Sequence, residues 1–245
     1  MSTNKVWQKL IRDLLMAPIV SPRGFKTKEL IGYQTKIDMS EPFVSVPQRR
    51  IGEKFRYAEA AWILSGDNKV STIKPYSKII EKFSDDGIRF FGAYGPKVVD
   101  QLSYVITNLM EDQVTRQAVI NIWREKPQKS KDVPCTCSLQ FFLRDAKIHC
   151  IATMRSSDAW LGWVYDVFNF SCIANYIRIQ LHDQYGFHLN LGTLTVNAGS
   201  QHLYEQHWHS SEACLRYKGL GPTKMLGGFL NGEDFIKHLW AKANG

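Results

Sequence analysis

Apolar side chains recur at helical spacing from the start of the chain. Val6, Leu10 and Leu14 fall on one side of a predicted helix. The same periodicity predicts helices over residues 5–17, 50–65, 97–111 and 165–184. The second of these ends at Gly66, because glycine readily adopts the backbone conformation that stops a helix. We therefore expect four helices, of which the one over residues 165–184 is the longest.

β-Branched and aromatic residues cluster in segments of strand length between the helices. The predicted strands cover residues 117–123, 138–144, 147–155 and 191–197. Strand-like stretches also follow a loop at residues 21–24. Only Asp145 and Ala146 separate the second and third of the predicted strands, which indicates a tight hairpin.

The remaining segments are less regular. Residues 66–96 are rich in Gly, Pro, Ser and Asp, and we expect them to form connections around a short helix. Residues 211–245 show no clear pattern. Because helices and strands are interspersed without an internal repeat or a low-complexity linker, the sequence predicts a single α/β or α+β domain over residues 1–245.

Composition supports a folded domain. The 245 residues are 44% hydrophobic and 22% charged, close to the average of globular proteins. The apolar runs are shorter than a membrane span. The amphipathic N-terminal segment lacks the uninterrupted apolar core and the cleavage site of a secretory signal, so we expect a cytoplasmic protein.

Charge narrows the possible partners only partly. The net charge of +8 suits a nucleic acid, a membrane surface or a phosphorylated substrate. The basic residues are scattered, and neither a zinc-finger spacing nor a GxxxxGK phosphate loop is present. The charge alone therefore does not separate a nucleic-acid binder from an enzyme with a phosphate substrate.

Five cysteines indicate a reduced, intracellular setting, because the number is odd and no secretion signal accompanies them. Cys135 and Cys137 form C-x-C without a second pair at zinc-binding spacing. His207 and His209 have the spacing of a metal pair but lack an evident third ligand. We therefore expect no metal.

Several motifs stand in a distinctive order. The upstream ones are Glu59-Ala60-Ala61-Trp62, Gly66-Asp67 and Tyr94-Gly95. The downstream ones are Pro134-Cys135, Arg155-Ser156-Ser157-Asp158 with Leu161-Gly162, and Gly199 with His202 and Tyr204. In order and spacing the sequence resembles the thymidylate synthase family over roughly residues 20–210. The resemblance implies that family's fold, a mixed β-sheet packed with helices, and a homodimer formed through the sheet.

Three positions resemble the phage deoxycytidylate hydroxymethyltransferases of this family more than its thymidylate synthases. Thr136 stands where thymidylate synthases usually have His, and Met154 where they usually have Gln. Asp166 stands where a thymidylate synthase has the Asn that reads uracil. The resemblance therefore favours a cytidylate substrate.

The resemblance makes Cys135 the nucleophile. A pyrimidine C5 becomes a carbon nucleophile only after something adds to C6, and a thiolate can do so. Arg155 is expected near Cys135, because the predicted hairpin places the two strands side by side, and its charge is expected to lower the thiol pKa. The other cysteines are expected to be packing residues, namely Cys137, Cys150, Cys172 and Cys214.

Four residues resemble the family's site for the nucleotide 5′-phosphate, namely Arg23, Arg116, Arg155 and Ser156. Guanidinium groups match phosphate oxygens well, and a dianion needs several of them. In the family, arginines just before the strand that begins here at Gln117 reach the partner subunit's site. Thr115-Arg116-Gln117 replaces the usual Ser-Arg-Arg, so only Arg116 can be carried over.

The remaining nucleotide contacts also follow from the resemblance. Asp166 would accept a hydrogen bond from the cytosine amino group, whereas it would face uracil O4 unpaired. Its place before an apolar helix is also compatible with an N-cap. Glu59 resembles the general acid/base, and its apolar neighbours predict a raised pKa. Tyr94 belongs with the catalytic residues, and His202 and Tyr204 resemble the pair that binds the sugar hydroxyl.

A folate site is implied as well. The residues that resemble the wall for the folate ring are Asp158, Leu161, Gly162 and Tyr165. The family's tryptophan pair that also contacts folate, expected within 70–90, has no clear match, and Tyr76 is a candidate for that contact.

The sequence thus predicts a homodimeric enzyme that transfers a one-carbon unit from 5,10-methylenetetrahydrofolate to C5 of dCMP. Water uptake would give 5-hydroxymethyl-dCMP, and the missing tryptophan pair favours this product. Hydride uptake would give 5-methyl-dCMP, or its ribonucleotide counterpart, and thymidylate synthase is a third possibility. A non-catalytic nucleotide- or RNA-binding protein of the same fold is permitted by the charge but disfavoured by the joint presence of Cys135, Arg155 and Glu59. We expect neither a membrane nor a nucleic acid as a partner.

Overall fold

The structure is a computed structural model that describes residues 1–126, 129–219, 223–225, 227–229 and 231–245. Its helices are α1 (Thr3–Leu15), α2 (Glu53–Leu64), α3 (Val70–Ile73), α4 (Tyr94–Glu111), α5 (Trp163–Tyr185), α6 (Trp208–Cys214) and α7 (Gly232–Asn244). Its strands are β1 (Ile19–Val20), β2 (Thr27–Asp38), β3 (Val119–Asn121), β4 (Thr136–Arg144), β5 (Lys147–Asp158) and β6 (Asn190–Tyr204). Short 3₁₀ turns include Pro22–Gly24 and Ile80–Phe83.

The strands join one mixed sheet in the order β1-β2-β6-β5-β4-β3. Strands β5 and β6 run parallel, and every other neighbouring pair is antiparallel. Asp145 and Ala146 connect β4 to β5 with φ angles of 52° and 53°. Two successive left-handed residues match the twist of a two-residue hairpin, so the predicted tight turn is confirmed.

Helices cover one face of the sheet. Buried residues alternate with half-buried or exposed ones along β4, β5 and β6, as expected for strands that pack on one side only. Helix α5 connects β5 to β6 and packs against both strands. On helix α1, the buried Trp7 donates its indole N–H to the carbonyl of Ala159 at 2.7 Å, which ties that helix to the end of β5.

The sheet topology brings the predicted motifs to one edge. Parallel β5 and β6 end on the same side of the sheet, and β4 begins there because it runs antiparallel to β5. Helix α5 also begins at that edge. Cys135, Arg155, Asp166 and His202 are therefore neighbours in space although 67 positions separate the first from the last.

A close backbone contact places the start of α4 at the same edge. A Cβ on Gly95 would lie 2.6 Å from the carbonyl oxygen of Asp67, a distance that no side chain tolerates. Glycine at this position lets helix α4 approach the Gly66-Asp67 turn after α2. The approach positions Tyr94, whose hydroxyl reaches β4.

The predicted helices and strands are present, with boundaries that differ. Strand β6 extends to Tyr204 instead of ending at residue 197, because Ser200, Gln201 and His202 continue the pairing with β2 despite their polar side chains. Strand β3 is shorter than predicted. Residues 211–245, for which no pattern was evident, include the end of α6 and the amphipathic helix α7. No helix among the described residues has the length and apolar character needed to cross a membrane.

Candidate active site

A cavity of about 230 Å³ opens at this edge of the sheet. Its polar wall is formed by Glu59, Tyr94, Cys135, Asp166 and Asn169. These side chains come from α2, α4, α5 and the segment before β4. These five side chains bring one thiol, two carboxyl groups, a phenol and an amide together, and Asp132 adds a third carboxyl group to the lining.

Arg155 is held against Cys135. Its guanidinium Nη2 lies 3.7 Å from the Cys135 Sγ. Two carbonyl oxygens orient the guanidinium, since Nε donates to Pro134 at 3.0 Å and Nη2 donates to Val133 at 3.0 Å. The backbone N–H of Arg155 also donates to the carbonyl of Cys135 at 2.9 Å. The predicted approach of these two side chains is confirmed.

The balance of effects on the Cys135 thiol differs from the sequence expectation. Burial raises the pKa of Cys135, and this effect outweighs the opposing effects of Arg155 and Arg23. Asp166 and Asp158 raise the pKa further through their negative charge. The expectation that Arg155 would give a low pKa overall was wrong, because it did not account for the desolvation of the sulfur.

Asp166 lies in the first turn of α5 and faces the cavity. It is not the N-cap, a role that falls to Gly162, so the predicted capping function was wrong. Burial, with a smaller contribution from the charge of Asp158, raises the pKa of Asp166 to about 7. A Cβ on Gly162 would lie 3.3 Å from Asp166 Oδ2, so glycine leaves room in front of this carboxyl group.

Glu59 is the second desolvated carboxyl group of the wall. Burial raises the pKa of Glu59 to about 7. The negative charge of Asp166 raises it as well, whereas a hydrogen bond from Asn169 lowers it. The Asn169 Nδ2 donates to Glu59 Oε2 at 2.8 Å. The predicted raised pKa is confirmed. Two carboxyl groups that titrate near neutral pH are suited to proton transfer.

Tyr94 and Thr136 form a polar pair beside the thiol. The backbone N–H and the hydroxyl of Thr136 both donate to the Tyr94 hydroxyl oxygen, at 3.2 and 3.0 Å. The hydroxyl hydrogen of Tyr94 is thereby left to donate toward the cavity. Burial raises the pKa of Tyr94 well above its ordinary value, so it remains a donor at neutral pH.

The phosphate residues predicted from the sequence fall into two groups. Arg155 and Ser156 sit at the end of β5, and the exposed Arg23 lies near enough to oppose the rise in the pKa of Cys135. Arg116 lies elsewhere, since its carbonyl accepts from Gln140, five residues along β4 from Cys135. Five strand residues span roughly 17 Å. Within one chain, Arg116 is therefore remote from the cavity.

His202 and Tyr204 lie together at the end of β6. Their rings meet edge to face with centroids 5.2 Å apart. The His202 Nδ1 lies 3.5 Å from the Ser200 hydroxyl, which in turn donates to Glu29. The strand pairs His202 with Asp158 of β5, so both side chains belong to the same edge as Arg155.

The residues predicted to form a folate wall surround the turn before α5. Asp158 Oδ1 accepts from the N–H groups of Trp160 and Leu161 at 2.8 and 3.1 Å. The Tyr165 hydroxyl accepts from the Gly52 N–H at 3.1 Å, and Leu161 is 45% exposed. These contacts leave the apolar surface of Leu161 available to a ligand.

Tyr76 does not belong to this wall. Its hydroxyl donates to Asn244 at 2.6 Å, and its ring packs against Trp240 of helix α7. Ile80 and Phe83 line the cavity instead, and Phe83 is 56% exposed. The candidate from the sequence was therefore wrong, and the 3₁₀ turn that follows it supplies the apolar surface.

Comparison with protein families agrees with this geometry. The thymidylate synthase family matches residues 7–225. The chain belongs to the thymidylate synthase family. Members of this family transfer a one-carbon unit from methylenetetrahydrofolate to C5 of pyrimidine nucleotides, and they are typically dimers. The family membership and the mixed α+β fold predicted from the sequence are thereby confirmed.

The cavity fits the folate donor that the family uses. Ile80 and the exposed Phe83 offer an apolar surface to a flat ring, and glycine at position 162 avoids a side chain that would crowd Asp166. Among the described residues, no group of three or more His, Cys, Asp or Glu side chains is arranged to hold a metal ion.

Several residues of the cavity had no recognisable motif. Asn169 carries no signal of its own in the sequence, although its spacing of three from Asp166 puts both on one helical face. Trp62 stands in a recognised motif without an assigned role, yet it also lines the cavity. Asp132, three residues before Cys135, also lines the cavity, and burial raises its pKa.

Proposed function

We propose that the protein is a dCMP 5-hydroxymethyltransferase that uses methylenetetrahydrofolate and water. The observation that carries the proposal is the carboxyl group of Asp166 in the same cavity wall as Cys135. A carboxylate offers acceptors to the amino edge of cytosine, whereas O4 of uracil would meet it without a hydrogen. The proposal places base recognition directly beside the nucleophile.

Cys135 begins the reaction by adding its sulfur to C6 of the base. The electron pair of the C5–C6 double bond then makes C5 nucleophilic, and C5 forms a bond to the one-carbon unit. The folate donor supplies that methylene group when it is bound. Arg155 stabilises the thiolate in this step, because its guanidinium lies 3.7 Å from the sulfur and burial otherwise disfavours the charge.

Asp166 holds the base during the addition. Burial raises the pKa of Asp166 to about 7, so the carboxyl group is close to ionisation at neutral pH. Hydrogen bonds from the cytosine amino group and from a protonated N3 then stabilise the carboxylate. Thiolate addition makes N3 more basic, so the carboxylate gains a charge-assisted hydrogen bond as the adduct forms. This interaction strengthens toward the transition state, which is the requirement for a catalytic contribution.

Glu59 completes the reaction with water. The C5 proton would pass to water, and its bonding electrons would form the exocyclic double bond. The bond from the methylene carbon to the folate nitrogen would break at the same time, and tetrahydrofolate would leave with that electron pair. The oxygen of a water molecule can then bond to the methylene carbon. A carboxylate with a pKa of about 7 can take the proton of that water at neutral pH. The electron pair then returns through the ring, the C5–C6 double bond reforms, and the sulfur of Cys135 leaves as a thiolate. The cavity volume of about 230 Å³ gives space for water beside the base.

The phosphate site is proposed to be completed by a second copy of the chain. Arg23, Arg155 and Ser156 supply one side of it from the edge that holds Cys135. Arg116 of the same chain is about 17 Å away along β4 by strand geometry, which supports a role for it in the partner subunit's site. A homodimer formed through the open sheet face would bring Arg116 of one copy to the cavity of the other.

The product distinguishes this proposal from its nearest alternative, a dCMP methyltransferase. The family's tryptophan pair has no clear match in the sequence, and this supports water over hydride as the group that reaches the methylene carbon. The test is mass spectrometry of products after incubation with methylenetetrahydrofolate and dCMP, CMP or dUMP. We expect 5-hydroxymethyl-dCMP as the major product. It is about 30 Da heavier than dCMP, because one CH2O unit is added. A gain corresponding to a methyl group, or a preference for dUMP, would reject the proposed reaction.

A further inference from the structure

A buried acceptor without a partner lies in the cavity wall one helical turn beyond Asp166. Asn169 is 3% exposed and lines the cavity. Its Nδ2 donates to Glu59, and its Oδ1 is buried without a hydrogen-bond partner among the described residues. Buried carbonyl oxygens of side chains are almost always paired in folded proteins. An acceptor left open in a cavity wall therefore indicates a ligand group that donates to it.

The hydrogen bond to Glu59 fixes the orientation of the amide. Glu59 Oε2 accepts from the Asn169 Nδ2, and this contact decides which end of the amide is the nitrogen. The free end is then the oxygen, which accepts but cannot donate. Unlike a carboxyl group that titrates near neutral pH, this oxygen remains an acceptor at every pH at which the protein is folded.

Cytosine presents two hydrogens where uracil presents none. Its 4-amino group carries one hydrogen on the N3 side and one on the C5 side, and an enclosed amino group needs an acceptor for each. Asp166 can accept the amino hydrogen on the N3 side and can also contact N3. Residues three apart on a helix lie about 5–6 Å from each other, so Asn169 can serve the other side of the same amino group.

We propose that Asn169 is a second specificity residue, whose Oδ1 accepts the C5-side hydrogen of the cytosine amino group while Asp166 accepts the N3-side hydrogen. This inference rests on the proposed function, because it takes a cytidylate as the substrate. With uracil, the lone pairs of O4 would face both acceptors. The pair of residues would therefore reject dUMP more strongly than Asp166 alone.

Equilibrium binding tests the proposal without turnover. In a Cys135→Ser background, which forms no covalent adduct, affinities are measured by calorimetry for dCMP and for the corresponding nucleotide of pyrimidin-2-one, which lacks the amino group. Asn169→Leu removes the acceptor at similar volume. We expect Asn169→Leu to weaken the binding of dCMP by about tenfold or more and the binding of the pyrimidin-2-one nucleotide by less than about twofold. Only dCMP carries an amino hydrogen that would be left buried and unpaired in this variant.

Two further variants guard against a structural explanation. Asn169→Ala removes the same acceptor with less risk to folding and should show the same selective loss. Asn175→Ala alters another buried asparagine of α5, which accepts from Arg178 at 2.9 Å, and should affect both ligands equally or not at all. Equal weakening of both ligands by the Asn169 variants, or no weakening of either, would overturn the assignment.

The outcome separates this inference from the proposed function. If the Cys135→Ser protein with native Asn169 binds dUMP more tightly than dCMP, the cytidylate assignment itself fails. If it prefers dCMP, and the Asn169 variants keep the full preference over dUMP, only the role of Asn169 is rejected. A selective loss of the dCMP preference supports both.

Discussion

The guanidinium of Arg155 lies 3.7 Å from the sulfur of Cys135 and is fixed there by the carbonyl groups of Val133 and Pro134. The pair is formed by neighbouring antiparallel strands, so its geometry depends on the hairpin between β4 and β5. Burial and the positive charge act on the thiol in opposite directions. Arg155 therefore favours the thiolate of Cys135, whereas burial of the sulfur disfavours it.

Removal of the Arg155 charge should suppress thiolate formation. Arg155→Met keeps much of the side-chain volume but removes the cation, so the pKa of Cys135 should rise further. Alkylation of Cys135 by iodoacetamide at pH 8, followed by peptide mass spectrometry, should be slower by about tenfold. Arg144→Met, at the other end of β4, is the matched control. An equal rate in the wild type and Arg155→Met would show that the cation does not activate the sulfur.

Cys135→Ser should abolish turnover while nucleotide binding remains. An alcohol at its ordinary pKa is a far weaker nucleophile than a thiolate, and we expect kcat to fall by at least roughly 10³. Cys137→Ser should retain activity and serves as the control, since no mechanism step uses that residue. Product formation is measured by chromatography. A serine variant with more than a few per cent of the wild-type rate would contradict the covalent mechanism.

Glu59 should make stability depend on pH in a specific direction. Its pKa rises from 4.5 in the unfolded chain to about 7 in the folded protein, so the folded state binds the proton more tightly. Its contribution to stability is fully present below pH 4.5 and is lost as the pH rises through about 7. The negative charge of Asp166 raises the pKa of Glu59 as burial does, whereas the hydrogen bond from Asn169 lowers it.

Glu59→Gln removes this penalty and keeps an acceptor for Asn169. At pH 8 we expect its free energy of unfolding to exceed that of the wild type by at most about 3 kcal/mol, and at pH 4 we expect equal values. Urea denaturation at both pH values measures the difference. Glu111→Gln, at the exposed end of α4, is the control. A constant difference between pH 4 and pH 8 would show that Glu59 is not desolvated in the folded protein.

Arg116 should act across a dimer interface. Cys135→Ser and Arg116→Glu should each be inactive as homodimers, since one lacks the nucleophile and the other lacks part of the phosphate site. Mixed dimers should regain up to about one quarter of wild-type activity in a random mixture, because one of the two sites is intact in half of the molecules. Activity is measured after mixing under dissociating conditions. A fully active monomer in sedimentation, or no recovery, would contradict the shared site.

Much of the site could be predicted because its residues lie in short motifs with fixed spacing. Cys135 and Arg155 are joined by a hairpin that the sequence shows directly, and Glu59 stands in an apolar helix that predicts desolvation. The wrong pKa direction for Cys135 has a different cause. Burial of a sulfur depends on side chains from distant elements, which a local motif does not contain.

Asn169 and Phe83 could not be predicted for a similar reason. The importance of Asn169 comes from a contact with Glu59, 110 positions away, and from the oxygen that this contact leaves open. Phe83 lies in an irregular segment without hydrophobic periodicity, where Tyr76 was an equally plausible aromatic residue. In both cases the tertiary arrangement, and not the local pattern, decides which side chain lines the cavity.

The central claim is that Asp166 makes this enzyme read cytosine. The decisive measurement is the ratio of kcat/KM for dCMP over dUMP in the wild type and in Asp166→Asn. The amide can donate to O4 of uracil and loses a charge-assisted bond to cytosine, which is worth roughly 1.5–3 kcal/mol. We expect a wild-type ratio well above one, and a fall of about one to two powers of ten in the variant. A wild-type preference for dUMP, or an unchanged ratio in Asp166→Asn, would contradict the account.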